Sequence, residues 1–312
     1  MSKYLSTYSI PGRRECADLL FDALVLGRHQ IDCRFRLNNV WGDNETYPFM
    51  LFEDSKTFEF ETLTIFYGNN GSGKSTLLNL IAASLQLPRH SEINTSPYFD
   101  LFREKLCQVG VSSDFDDIGR QADIITSDDV FKHLLLLRSR NREITKERNA
   151  AIDYIFRLKA SASAGTYVSR AGRTPEERKI LLEEKKNLRQ TSSRYVREHS
   201  GHNLRNHSNG ESALEFFTSC IKDEGLYLLD EPENSLSPSF QIKLIEYLQC
   251  SLRLGCQFVI ATHSPLLLGM PGARIYNLDD PKFPITDWRD LENIRIYYNF
   301  FKEHVHEFTE NA

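Results

Sequence analysis

The chain has 312 residues, of which 40% are hydrophobic and 26% charged, so it can bury a sizeable core and has room for an insertion beside it. Its net charge of −5 excludes attraction of a polyanion by the chain as a whole, and its six cysteines have no CxxC spacing or nearby His pair, which excludes a zinc finger. No charged-then-apolar leader follows Met1, and runs such as Leu134–Leu137 and Pro265–Met270 fall far short of the ~20 residues of a membrane span, so the expected location is cytoplasmic, without direct membrane contact.

Residues 1–30 read as an N-terminal extension, with a short helix over Cys16 to Leu26 after Pro11-Gly12. Thr62-Leu63-Thr64-Ile65-Phe66-Tyr67 is β-branched and aromatic, as a buried strand is. It runs into Gly68-Asn69-Asn70-Gly71-Ser72-Gly73-Lys74-Ser75-Thr76, which matches the phosphate-binding pattern GxxxxGK[ST]. Leu77, Ile81 and Leu85 then recur every four residues, as one face of a helix. Such glycines let successive backbone N–H groups turn toward phosphate oxygens, and the helix start adds its dipole. Lys74 supplies a charge to the outer phosphates, and Ser75 a hard oxygen for Mg²⁺. Asn69, Asn70, Gly71, Ser72, Gly73, Lys74, Ser75 and Thr76 are therefore expected to cradle the phosphates of a nucleotide.

An interruption follows. Val130, Leu134, Leu137, Asn141, Ile144, Arg148, Ala151 and Ile155 alternate spacings of four and three, the stripe of a long helix from about Asp129 to Lys159. A second helix is expected from Pro175 to Arg197, with Ser161 to Thr174 as the tip between them. The tip has no cysteine, which excludes a zinc hook. Over 138–197, sixteen Arg and Lys stand against seven Asp and Glu, a net of +9, leaving −14 for the rest. A basic helical arm on an acidic body suits a phosphate backbone, a protein partner, or simply a solvated hairpin.

Leu226-Tyr227-Leu228-Leu229 is a second buried-strand run ending in Asp230-Glu231. In P-loop NTPases an acid at such a strand end holds the metal, and its neighbour is placed to polarise the attacking water. A third strand, Gln257 to Thr262, leads to His263 at a strand end, where an imidazole can bond the γ-phosphate or that water. A C-terminal helix is expected from about Leu291.

The order of these segments resembles the ATP-binding-cassette superfamily: GNNGSGKST, SNGES, LYLLDEPE, NSLSP and ATHSP, from Thr62 to Pro265. The resemblance implies a P-loop NTPase fold, α/β with a mixed sheet core and an inserted helical hairpin. It implies ATP and Mg²⁺ as cofactors, with Ser75 and Asp230 on the metal and Lys74, Glu231 and His263 as catalytic residues. Ser208, Asn209, Gly210 and Glu211 resemble the signature motif, which caps ATP bound to another subunit. Asn234 to Ser237 resembles the loop that crosses the interface of a head-to-tail homodimer.

His207-Ser208-Asn209-Gly210-Glu211 departs from the Leu-Ser-Gly-Gly-Gln of transporters, and Ser237 stands where they often carry Asp. Tyr47 is the nearest candidate to stack on adenine, although core packing suits it better. Ile125 to Phe131 holds acids where a Q-loop glutamine is expected. These features are similar to soluble chromosome-maintenance and double-strand-break-repair ATPases. Tyr47-Pro48-Phe49, Asp230-Glu231-Pro232-Glu233, Ala261 to Pro265 and the tail around Trp288 resemble small bacterial "predicted ATPases", some of them from phage-defence or mobile-element loci. The expected division is an ATPase domain over 31–135 and 196–312, interrupted by a basic hairpin over 136–195. The expected function is ATP-driven dimerisation and hydrolysis coupled to a nucleic acid or an effector such as a nuclease, in anti-phage defence or DNA maintenance. The alternatives are the ATP-binding subunit of a membrane transporter and a slow ATP-switched regulatory module.

Overall fold

In a computed structural model, the residues described are 3–24, 47–48, 51–89, 99–115, 121–164, 174–200 and 208–309, together with 91, 93, 95 and 96. The chain forms two compact units, Met1–Phe131 with Asn209–Ala312, and Lys132–Ser208. Among the described residues no helix is long and apolar enough to cross a membrane.

Among the described residues the first unit has eight strands: β1 Leu5–Ile10, β2 Lys56–Glu59, β3 Leu63–Tyr67, β4 Gln108–Val111, β5 Ala122–Thr126, β6 Leu226–Asp230, β7 Gln257–Thr262 and β8 Arg274–Asn277. Five form a parallel sheet in the order β5-β6-β7-β3-β8. Every residue of β3 and β7 is buried, as expected for parallel strands covered on both faces. Because β7 lies between β3 and β6, the P-loop strand and the acid strand flank a common crevice at their C-terminal ends.

Helix α1 spans Arg13–Leu24, α2 Lys74–Ser84 and α3 Phe99–Leu106. Leu77, Leu78, Leu80, Ile81 and Ala82 of α2 are all buried, which makes this helix part of the core. Each such leucine contributes about 1.5–3 kcal/mol, so Leu77→Ala would loosen the P-loop's support by about 2–5 kcal/mol.

Residues 5–10, inside the expected N-terminal extension, are the central strand of a second, antiparallel sheet in the order β2-β1-β4. Gln257, at the start of β7, is fully buried and stitches the two sheets together. Its Oε1 accepts the Tyr4 and Leu5 amides at 2.8 Å each, and its Nε2 donates to the Leu5 carbonyl at 2.8 Å. The sequence Leu-Ser-Thr-Tyr-Ser-Ile hides this role, because its pairing partners lie about 50 and 100 residues downstream.

Helix α4, Ser127–Ser163, leads from the first unit into the second and exceeds its expected span. At 37 residues it is about 55 Å long. The eight stripe positions from Val130 to Ile155 are all buried or half-buried. Helices α5 Pro175–Arg189 and α6 Ser192–His199 stand where one helix was expected. The break falls at Thr191, whose hydroxyl caps α6 by accepting the Arg194 amide at 3.3 Å. Within this unit Ala151, Ile155, Leu158 and Tyr195 pack together, and Lys159 Nζ donates to the Gln190 carbonyl at 2.8 Å. Most of the expected tip, 165–173, lies outside the described residues.

The remaining helices belong to the first unit: α7 Asn209–Cys220, α8 Pro238–Arg253, α9 Pro265–Leu268, α10 Glu292–Glu303 and α11 Val305–Thr309.

Candidate active site

The P-loop follows β3 directly and ends in α2. Gly71 and Gly73 take φ of 87° and 92°, which L side chains rarely adopt, and a Cβ on Gly71 would face open space. The loop is braced from a distant strand end. The Asn69 amide and side chain donate to the two carboxylate oxygens of Asp279, at 2.8 and 3.1 Å. Asp279 lies just past β8, which pairs with β3. Nothing local marked Asp279, although an Asp pair after a strand is a usable signal.

Lys74 is only 4% exposed. Its Nζ donates to the carbonyls of Gly68 and Asn69, at 2.8 and 3.0 Å, and stands 3.7 Å from Glu231 Oε1. Ser75 Oγ donates to Asp230 Oδ1 at 3.0 Å. The Asp230 carboxyl is pushed up to about 6, chiefly by burial; Ser75 and Lys74 pull it down, while Glu231 and Glu233 push it up. Glu231 sits in the left-handed region at φ 48°, uncommon for a non-glycine residue and often a mark of functional strain. Its amide bonds the Ala261 carbonyl of β7 at 2.9 Å, and its Oε2 accepts Asn234 Nδ2 at 2.8 Å.

Sequence reasoning gave Glu233 no role, yet it organises the end of β7. It is 6% exposed, and its Oε1 accepts the Thr262 hydroxyl at 2.6 Å and the His263 amide at 3.0 Å. His263 Nδ1 lies 3.4 Å from that oxygen and 3.9 Å from Glu231 Oε1. Asn293 of α10 donates to the His263 carbonyl at 3.0 Å. Lys74, Ser75, Asp230, Glu231 and His263 are thus gathered at the C-terminal ends of β3, β6 and β7.

Ser208, Asn209, Gly210 and Glu211 lie on a different element, at the start of α7. Gly210 abuts α8, where an added Cβ would come 2.6 Å from the Phe240 ring, so packing alone accounts for this glycine. Tyr47 does not present a free ring: its hydroxyl donates to Thr76 at 2.8 Å, and it stacks on Phe99 at 6.4 Å and 17°. Asp129, in the expected Q-loop segment, caps α4 instead. Its Oδ2 accepts the Thr126 amide and hydroxyl at 2.8 Å each, while Thr126 Oγ1 accepts the Asp129 amide at 3.3 Å.

The donor set fits a magnesium nucleotide. Ser72 Oγ is buried with no hydrogen-bond partner, as a group waiting for a phosphate oxygen is. Ser75 and Asp230 offer the few hard oxygens that Mg²⁺ takes from protein when phosphates complete its shell. No cluster of three His, Cys, Asp or Glu able to hold a metal occurs among the described residues.

A family model described as "AAA domain, putative AbiEii toxin, Type IV TA system" matches residues 111–269, half of the chain. The chain belongs to this family. The motif order of this AAA-domain protein also fits the ATP-binding-cassette superfamily, and its parallel sheet with a P-loop is the P-loop NTPase fold. No curated protein matches it. Among solved structures it is similar to the Smc head domain with an extended coiled coil, bound to the C-terminal domain of ScpA, from Pyrococcus furiosus. That match has 12% identity, covers 91% of this chain and 94% of that one, and has a TM-score of 0.39. It is also similar to the dimeric structure of a bacterial ABC transporter cassette, at 18% identity, 73% and 85% coverage and a TM-score of 0.34. A dimeric cassette in a post-hydrolysis state with ADP and Pi matches at 17%, 73% and 87%, and 0.34. Likenesses this distant carry nothing about function.

Proposed function

We propose that this protein is a P-loop ATPase whose ATP is bound between two copies and which uses closure and hydrolysis to drive an output through its basic helical unit. The carrying observation is the convergence of Lys74, Ser75, Asp230, Glu231 and His263 at three adjoining strand ends. Lys74 and the loop amides would hold the outer phosphates. Ser75 and Asp230 would hold Mg²⁺, which supplies charge neutralisation at the phosphates when bound. Glu231 is placed to accept a proton from the attacking water. The Asn234 side chain and Glu231's own backbone bond to the Ala261 carbonyl aim it. His263, held by Glu233 and Asn293, is the group whose position can register the γ-phosphate.

Ser208 to Glu211 would cap the ATP of the other copy in a head-to-tail homodimer, with Asn234 to Ser237 crossing between the two. ATP then acts as a switch ligand, because only the closed state offers it both surfaces. The output is read as contact with a nucleic acid or an effector protein through residues 138–197, with their net +9. The domain division is read as 31–135 with 196–312 for the ATPase and 136–195 for the arm. A defence role accords with the toxin-related description of the family. The cytoplasm is the expected location.

The test is retention of labelled ATP with Mg²⁺ through gel filtration. Lys74→Ala should retain none. Glu231→Gln should retain ATP for hours with turnover at least 100-fold slower. Wild-type turnover in Glu231→Gln would remove Glu231 from the chemistry.

A further inference from the structure

The C-terminal helices carry an apolar surface that the ATP site does not use. Ile296, Tyr297, Tyr298, Phe300, Phe301, Val305 and Phe308, all on α10 and α11, are each about half exposed or more. Ile294, on the side of α10 that also carries Tyr297, Tyr298 and Phe301, is buried, and Asn293 bonds the His263 carbonyl, so the first turn of this helix is seated on the body while residues 295–303 are exposed. Single exposed apolar residues are ordinary; seven within thirteen consecutive positions are not. At 150–250 Å² for each aromatic ring, half of five rings with the two aliphatic side chains makes on the order of 600 Å² per copy. Two such faces together reach about 1,200 Å², the lower end of what a specific interface buries.

Beside this surface lies a groove of about 1250 Å³, lined by Trp288, Tyr297 and Phe301 and by Pro238, His263 and Leu266. Part of its lining therefore comes from the residues just after β7 and from the first residue of α8, directly after the 234–237 loop. The charges at the rim cancel locally. Arg289 pairs with Asp287 at 2.8 Å, and Arg295 with Asp290 at 2.7 Å. A two-fold contact sets a patch against itself, so it tolerates apolar area ringed by balanced pairs and not a patch of one sign. That balance disfavours a polyanion or a strongly charged peptide as occupant.

We propose that the aromatic face of α10 and α11, with the adjoining groove, is a nucleotide-independent interface with a second copy of this chain. It holds two copies together before ATP closes them. The proposal rests on the reading that the 234–237 loop and His263 face a second copy, because that surface continues into the groove.

The test is sedimentation velocity on the full chain at micromolar concentration after nucleotide removal, on wild type, Lys74→Ala and the double variant Tyr297→Glu/Phe301→Glu. Wild type and Lys74→Ala should sediment at twice the 36.1 kDa chain mass. The double variant should sediment as a monomer, with dissociation at least 100-fold easier. Both substituted side chains are about half exposed, so its thermal unfolding and ATP binding should match wild type. A wild-type monomer without nucleotide would overturn the proposal, and so would a dimer indifferent to the double variant. A monomer that pelleted with phosphatidylcholine–phosphatidylglycerol vesicles through Tyr297 and Phe301 would make the occupant a membrane surface and overturn it equally. ATP-driven pairing is tested separately, as mass doubling of the monomeric double variant carrying Glu231→Gln. Failure there would sink the closure reading, and it is distinguishable from failure of this interface, which shows as a wild-type monomer before nucleotide is added.

Discussion

The Thr262 hydroxyl donates to Glu233 Oε1 at 2.6 Å, which ties the last residue of β7 to the turn that follows β6. The same oxygen accepts the His263 amide, so one buried carboxylate sets where the segment after β7 begins. Glu233→Ala should leave two buried donors without an acceptor and cost about 2–4 kcal/mol by urea denaturation. Glu233→Gln keeps an acceptor oxygen and should lose less than half of that. Equal losses in the two variants would mean that volume, not the hydrogen bonds, matters at this position.

Asp230 gives the nucleotide-free protein a pH signature. Its carboxyl is raised from the ordinary 3.8 to about 6, so between these values the folded state holds a proton that the unfolded state has released. Stability should therefore fall as pH rises through this window, by on the order of 3 kcal/mol from this group alone, and level off above it. In Asp230→Asn that component should vanish, leaving a flatter unfolding profile between pH 4 and about 6. An unchanged slope would assign the effect to other groups.

The shared site can be tested by mixing defective chains. In the proposed dimer, Ser208→Arg would place a bulky cation where the partner's γ-phosphate is to dock, yet leave its own P-loop intact. Lys74→Ala disables its own P-loop but keeps a normal signature. Each should hydrolyse little alone, and a mixture should regain one working site per heterodimer. If demonstrated heterodimers were no more active than the separate variants, ATP would have to be hydrolysed within one chain.

The basic unit invites charge reversal. Lys179, Lys185, Lys186 and Arg189 of α5 are exposed, so changing all four to Glu alters charge by −8 without touching the buried stripe. Basal hydrolysis should persist. If the arm meets nucleic acid, wild-type affinity should fall about 100-fold between ~50 and ~200 mM salt for four phosphate contacts, and the variant should lose both binding and this salt dependence. If the arm docks a protein, wild type will show no nucleic-acid binding and the variant should lose the co-purifying partner. A variant that kept every interaction would leave the arm a solvated hairpin.

The sequence by itself determined the features whose chemistry is contiguous. Gly68 to Thr76 reads as a phosphate cradle because its positive-φ glycines, lysine and hydroxyl are neighbours along the chain. Strands β3, β6 and β7 were legible as unbroken apolar runs because both faces are buried. Tertiary structure alone decided what joins distant segments. Leu5–Ile10 became a central strand only through partners near positions 57 and 110, and Gln257 tied it to β7 across some 250 residues. Asp279 reached Asn69 only because β8 lies beside β3, and Asn293 reached His263 only because α10 is seated against the body. Glu233 and Asp129 looked like ordinary loop or Q-loop acids until their oxygens met Thr262 and Thr126. A hydrogen bond depends on a few tenths of an ångström and on burial, and neither can be read from spacing along a chain until the sheet has brought the partners together.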